Sequence, residues 1–340
     1  MSDKRFFASL GPTDATALAA LTGGQLSRHN ADAAYVHDVC SAVATLPNSL
    51  FYAATLKGVD VEAIAPDAIC LTTETLADTL RSVCHVIVVA DPRSAFGEIA
   101  PTLVQPIRHD PSDGLIARSA TVHPSASIMP NVAIGPGAQI GEGVRLEAGV
   151  VVGPGVAIGA GSVIGANSVL QCAYIGDGCT LGPCTTIGQP GFGISANQSG
   201  LIEMPHFGRV ILQDRVSLGA SVAVDRGMFD DTIVGENSKF DNLCQVAHNV
   251  VVGRNSLAAA FAGISGSVTI GDGVQIGGMV CLHDHIDIGD GAKLGANSGF
   301  MHSVPAGETW GGAPAQPLKK FFREVAWLRK QVAPKPKANP

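Results

Sequence analysis

Ten histidines occur in the chain, and one of them, His248, closes the stretch Asn242-Leu-Cys-Gln-Val-Ala-His248-Asn249. An imidazole is the side chain best matched to taking a proton near neutrality, so His248 is a candidate general base. The plain alternative is a solvated histidine on a protein surface. Asp225 and Asp241 could each orient a ring through its second nitrogen, and each also reads as an exposed turn residue. His283, His285 and His302 could join His248 as zinc ligands, but their spacing does not resemble that of the three-histidine hexapeptide carbonic anhydrases, and no metal is expected. Cys244 lies four residues before His248, lacks the surroundings of a nucleophile, and reads as a buried packing thiol. The glycine-rich run Gly188-Gln-Pro-Gly-Phe-Gly193 has no strand-then-helix context and is not a dinucleotide fingerprint.

These residues sit inside a repeat. Aliphatic side chains recur every six positions from Ile128 to Leu170, again at Ile175, Leu181 and Ile187 after a one-residue slip, then at Leu212, Leu218 and Val224, and from Val234 to the end of the series at Phe300. A period of six fits neither a helix, at about 3.6 residues per turn, nor the alternation of a strand. It fits a β-solenoid in which each hexapeptide forms one side and three sides complete a coil of 18 residues. Glycines that directly follow the aliphatic position, such as Gly135, Gly141 and Gly153, are expected to ease the corners. Stacked coils then pair as parallel strands about 4.8 Å apart. Counted this way, His248 lies two past Val246, while Arg226 and Gly266 hold the same station on the coils before and after. His285, three past Leu282, falls two coils from Asn249, about 10 Å along the axis. Gly266 between them is expected to leave a notch for an elongated substrate. A solenoid with a bare apolar face is expected to pack on copies of itself as a cyclic oligomer.

Two stretches break the phase: residues 189–211, and the ten-residue step from Val224 to Val234, which makes a short loop of 225–231. Loops projecting from a rigid scaffold are where binding residues concentrate, and inconsequential insertion is the other reading. Ahead of the repeat, residues 1–110 alternate strand-like (68–72, 85–90) and helix-like (73–80, 91–103) segments, a small α/β domain. The repeat domain spans 115–309, an amphipathic helix 316–333, and a tail 334–340. Residues 317–340 carry a charge of +6 and the rest of the chain −13, within a total of −7. A basic helix on an acidic body is a docking surface for an acidic protein rather than for nucleic acid. The eight cysteines form no C-x-x-C pair, so reduced thiols and a cytoplasmic location are expected. No run of 18 apolar residues exists, and Pro12 and Asp14 interrupt the N-terminal apolar stretch; neither a membrane helix nor a signal peptide is expected.

The pieces Gly191-Phe-Gly193, GRVILQDRVSLGA (208–220), VDRGMFDDTIVG (224–235), DNLCQVAHNVVVG (241–253) and AGISGSVTIGDGVQIGG (262–278) resemble one family across about 115–330. It is the UDP-3-O-(3-hydroxyacyl)glucosamine N-acyltransferases of lipid A biosynthesis; GGAPAQP (311–317) is shared more widely among hexapeptide acyltransferases. The resemblance implies a mainly β protein, a homotrimer of left-handed parallel β-helices, with a uridine-binding N-terminal domain and C-terminal helices that meet acyl carrier protein. It implies His248 as base, Asp241 as the acid that orients it, and His285 as a second active-site histidine. Gln245 and Asn249 would line the acyl-pantetheine groove, Phe192 would touch a ligand near the subunit boundary, and Lys319, Lys320 and Arg323 would face the carrier protein. No cofactor is implied, because phosphopantetheine arrives on the carrier. The family's Phe-x-x-Asn-Pro-x-Tyr, whose rings hold uracil, is reduced here to Phe51, with Ala54 and Lys57 at the other two places. The expected reaction moves a (3-hydroxy)acyl chain from acyl carrier protein to the 2-amino group of a UDP-3-O-acylglucosamine, with a backbone N–H near Gly266 binding the oxyanion. The alternatives are acyl-CoA-dependent transfer to another sugar-nucleotide amine, and a solenoid that binds without turnover.

Overall fold

The computed structural model describes residues 2–27, 34–198, 200–312 and 318–332. At the N-terminal end, a five-stranded sheet runs in the order Gln25–Ser27, His85–Val88, Ile69–Thr72, Ser49–Ala53, Asp38–Val39, with the first strand antiparallel to the rest. Three helices accompany it: α1 (Ala15–Thr22), α2 (Glu74–Leu80) and α3 (Pro92–Leu103). Local chemistry sets their ends. The Asp91 carboxylate accepts from the amides of Arg93 and Ser94 at the start of α3, where Pro92 needs no partner for a missing N–H. Strand alternation sends Phe51 and Tyr52 to opposite faces. Phe51 is fully buried among Cys70, Val86, Ala77 and Leu80, whereas Tyr52 packs on Phe96 of α3.

From residue 116 on the chain winds into coils whose sides stack as three parallel sheets of nine, ten and nine strands, here called the first, second and third walls. Ile140 pairs with Ile158 one coil on, as the period of six requires. The slip shortens the next coil, so that Ile158 pairs with Ile175. The two phase breaks lengthen later coils: Ile175 pairs with Leu212, and Leu212 with Val234. Both additions leave at the same corner, between the third and first walls, on successive coils. Each hexapeptide buries its aliphatic residue and the one two before it, as with Leu146 and Val144 or Ile270 and Val268, which gives a core of small and branched side chains with few rings.

The corner glycines act differently from expectation. Positive φ falls three residues past the aliphatic position, at Gly137, Gly143, Gly155 and Gly273, and at Asn167, Asn237 and Asn249. The glycine directly after it serves close approach of successive coils instead. A Cβ on Gly253 would lie 2.5 Å from the Gly271 carbonyl carbon, and one on Gly165 equally close to Gly182.

The N-terminal domain and the solenoid share one apolar core. Phe7 meets Phe207 and Phe96 meets Phe229, both from the two added segments, while Phe6 meets Tyr174. Arg209 bridges Asp3 and Asp231 at 2.9 and 2.8 Å. Within residues 189–211 a hairpin (Ile194–Asn197 with Gly200–Glu203) lies on α3, where Gly97 leaves room for Ile202. The last described element is α4 (Leu318–Val332), with Phe322, Trp327 and Leu328 exposed.

Candidate active site

The corner that carries both added segments also carries His248. The segment 189–194, the hairpin's return at Glu203 and Met204, and residues Asp225, Gln245, Ala247, Ser265 and Cys281 enclose a cleft of about 690 Å3. His248 stands half-buried at its margin against the lining residue Gly191. Three glycine or asparagine neighbours fix the ring. A Cβ on Gly191 would lie 2.6 Å from His248 Cβ, and one on Gly266 would lie 2.6 Å from Cε1 and 2.8 Å from Nε2. The notch expected at Gly266 therefore exists, but the imidazole itself occupies it. On the third side, His248 Nδ1 is 3.1 Å from Asn249 Oδ1. The Met228 backbone N–H, which can only donate, also points at that oxygen at 3.1 Å. Asn249 thus presents its carbonyl to the ring, Nδ1 carries the proton, and Nε2 is bare and basic.

The carboxylate of this site is Asp225, one coil before His248. It is buried, and it accepts from Gln189 Nε2 and Gln245 Nε2, each at 2.8 Å. Burial raises its pKa above the usual carboxylate range, opposed by the Gln189 hydrogen bond, the field of His248 and the Gln245 hydrogen bond. From sequence alone Asp225 and Asp241 are equivalent candidates. The signal that finds it is the phase: residues 225–231 leave from the corner that His248 occupies one coil later.

Several expectations need correction. Asp241 does not orient His248 in this chain. It follows Phe240 on the second wall, one corner away, exposed, with its Oδ1 accepting from Asn242 N and Nδ2. The hexapeptide period separates residues 241 and 248 by a full side, so nearness in sequence misleads. Asn249 is the tautomer partner of His248 and not a lining residue of the cleft. Phe51 cannot stack on a base, since its ring is sealed in the N-terminal core. Gln245 and Phe192 do line the cleft, Phe192 with 86% of its surface exposed. His285 occupies the same corner beyond Gly266, whose carbonyl accepts from its amide at 3.1 Å. Its exposed ring turns to Asp284, 3.3 Å from Nδ1, and lies outside the cleft lining. Arg323 is exposed on α4, whereas the side chains of Lys319 and Lys320 lie outside the described residues. Among the described residues no group of three or more His, Cys, Asp or Glu is placed to hold a metal ion, and no helix is long and apolar enough to cross a membrane.

Coils of six-residue sides, a cleft at one corner and a histidine with a bare nitrogen beside it define a hexapeptide-repeat acyltransferase, built on a left-handed parallel β-helix. Residues 137–172 match the model of the bacterial transferase hexapeptide (six repeats). The chain is 41% identical over 336 residues to the UDP-3-O-acylglucosamine N-acyltransferase of Caulobacter sp. strain K31, covering 98% of this chain and 97% of that one. It is 44% identical to the proteins of the same name from Maricaulis maris, with 99% and 98% covered, and from Caulobacter vibrioides, with 98% of each covered. The chain belongs to the UDP-3-O-acylglucosamine N-acyltransferase family.

Proposed function

We propose that the chain transfers a (3-hydroxy)acyl group from the thioester of acyl carrier protein to the 2-amino group of UDP-3-O-acylglucosamine, a step of lipid A assembly, with His248 as general base. The observation that carries this reading is the bare Nε2 of His248, set over Gly266 at the edge of the cleft. The amine nitrogen attacks the thioester carbonyl, and Nε2 takes the proton that nitrogen loses as the N–C bond forms. The Gly266 amide N–H, which has no hydrogen-bond partner among the described residues, is available to the oxyanion. Asp225 offsets the imidazolium charge through space. When the C–S bond breaks, the imidazolium returns its proton to the departing thiolate, so the histidine ends as it began.

Support for a homotrimer comes from the edge between the second and third walls. Leu243, Phe261 and Met279 stand exposed there on consecutive coils, each at positive φ, an apolar ladder that a second copy would cover. Asp241 borders that edge, so any part it plays is played in a neighbouring copy's site. The +6 segment that holds Lys319, Lys320 and Arg323 suits an acidic carrier protein. Eight unpaired cysteines, two of them exposed, suit a cytoplasmic setting.

Replacing His248 by Ala tests the base. Turnover is expected to fall by at least about a hundredfold with the thermal unfolding midpoint unchanged. Near-normal turnover by that variant overturns the assignment. Mass spectrometry of products formed from mixed acyl-carrier thioesters and UDP-amino sugars reads the donor and acceptor directly.

A further inference from the structure

His206, on the segment that returns from the hairpin to the first wall, is 3% exposed, and its ring centroid lies 5.3 Å from that of His248 at an interplanar angle of 59°. Nothing in the sequence singled it out. Its Nδ1 is 2.9 Å from the Met204 carbonyl, which can only accept, so Nδ1 holds the proton and Nε2 has a free lone pair. A point one Cβ length from the Gly191 backbone lies 2.9 Å from His206 Nε2 and 2.8 Å from His248 Cδ2, so the acceptor atom of one ring and the Cδ2 edge of the other border the same small space beside Gly191. The arrangement is stiff. Arg226, 5% exposed, donates from Nε to the His206 carbonyl and from its terminal NH1 nitrogen to the Gly188 carbonyl, each at 2.8 Å. Met204 N–H in turn holds the Gly193 carbonyl at 2.8 Å.

We propose that His206 is a positioning residue for the base: its locked ring, packed on His248 with its unprotonated Nε2 beside the same glycine as the Cδ2 edge, holds that imidazole over Gly266 and steadies the positive charge it acquires on accepting the amine proton. The inference rests on His248 being the base. Three observations agree with it. His248 is bounded by Asn249 at Nδ1, by Gly266 at Cε1 and Nε2 and by Gly191 at Cβ and Cδ2, and the His206 ring packs on it with its centroid 5.3 Å away. The other charged groups around the pair are Asp225, which acts on His248 through space, and Arg226, which opposes any charge on His206. Burial first, then the fields of His248 and Arg226, lower the pKa of His206 to about 4, so at neutral pH it stays the uncharged partner while His248 takes the proton.

The test compares the full-length chain with His206→Phe, which keeps a ring and loses the acceptor, and His206→Gln, which returns an acceptor oxygen. Kinetics across pH and the ring-nitrogen NMR shifts of both histidines, followed across pH without substrate, are the two readouts. In the Phe variant kcat is expected to fall about threefold to fivefold with KM changed by less than about twofold, as loss of one weak C–H contact to a developing cation predicts. The His248 titration midpoint and the acid limb of kcat/KM are expected to move down together by about half a pH unit. The Gln variant is expected to recover both. An unchanged midpoint and kcat in the Phe variant, a loss confined to KM, or failure of Gln to recover the shift overturns the proposal. In the unaltered chain a proton on His206 Nε2 overturns it as well, whatever the variants do. Turnover surviving His248→Ala sinks the base assignment and with it the kinetic part of the proposal, whereas the NMR titration, which needs no catalysis, tests the contact between the two rings by itself.

Discussion

An imidazole serves as a base only through the nitrogen that lacks a proton, and Asn249 makes that choice for His248. Met228 N–H pins the amide so that its oxygen, not its nitrogen, faces the ring. Asn249 sits at φ +61, a conformation glycine adopts freely. Asn249→Gly therefore removes the tautomer anchor without straining the backbone. Its kcat is expected to drop about 10–100-fold, the range typical of groups that orient a working histidine, while Asn249→Asp retains an acceptor and most of the rate. Equal rates for the Gly variant and the parent, measured at saturating donor, would show that the ring needs no partner at Nδ1. His248 stands out in its own stretch of sequence, and Gln245 and Phe192 enter through the family resemblance; the fold puts the latter two in the lining of the cleft and His248 at its margin. Gln189 and His206 carry no sequence signal, and Asp225 reads equally as a turn residue, because their significance lies in which side chains they face once the added segments fold back on the corner.

At the scale of the element, the hexapeptide sets two demands on small residues, and the sequence shows them as one. Glycine after the buried aliphatic permits adjacent coils to touch; glycine or asparagine two residues later permits the left-handed turn. The two are separable by mutation. Gly253→Ala forces a Cβ to within 2.5 Å of the Gly271 carbonyl carbon and 2.4 Å of Asp272 Oδ1. A backbone neighbour on the next coil cannot step aside, so a loss of about 1–3 kcal/mol is expected in chemical denaturation, as for overpacking generally. Asn167→Gly, at φ +59 on the surface, is expected to stay within about 1 kcal/mol of the parent. The reverse order of stabilities would return the first glycine to the role expected of it from sequence, easing the corner.

For the whole molecule, charge and shape point to different partners. The acidic body carries −13 and the last 24 residues +6. Reversing Lys319, Lys320 and Arg323 to Glu together is expected to raise KM for an acyl-carrier thioester by about tenfold or more at low salt, with a smaller effect at high salt. The same variant assayed with acyl-CoA should be nearly unaffected; equal loss with both donors would remove the carrier protein from the account. The N-terminal domain is tied to the cleft by shared packing. Its α3 touches the hairpin, and Phe96 touches Phe229 of the short added loop, so the domain and the corner that bears the cleft are held as neighbours.

Periodicity is a one-dimensional property, and the one-dimensional string carried it completely: the coils, their length, the slip, the two interruptions and the charge on the final helix are all countable before folding. Contacts across coils and between domains are not. Asp241 and Asp225 look alike beside His248 until the winding places one at a different corner and brings the other, one coil earlier, to the same cleft. Phe51 keeps its family position yet turns inward, since strand alternation and the apolar layer under α2 outweigh a motif whose other members are gone.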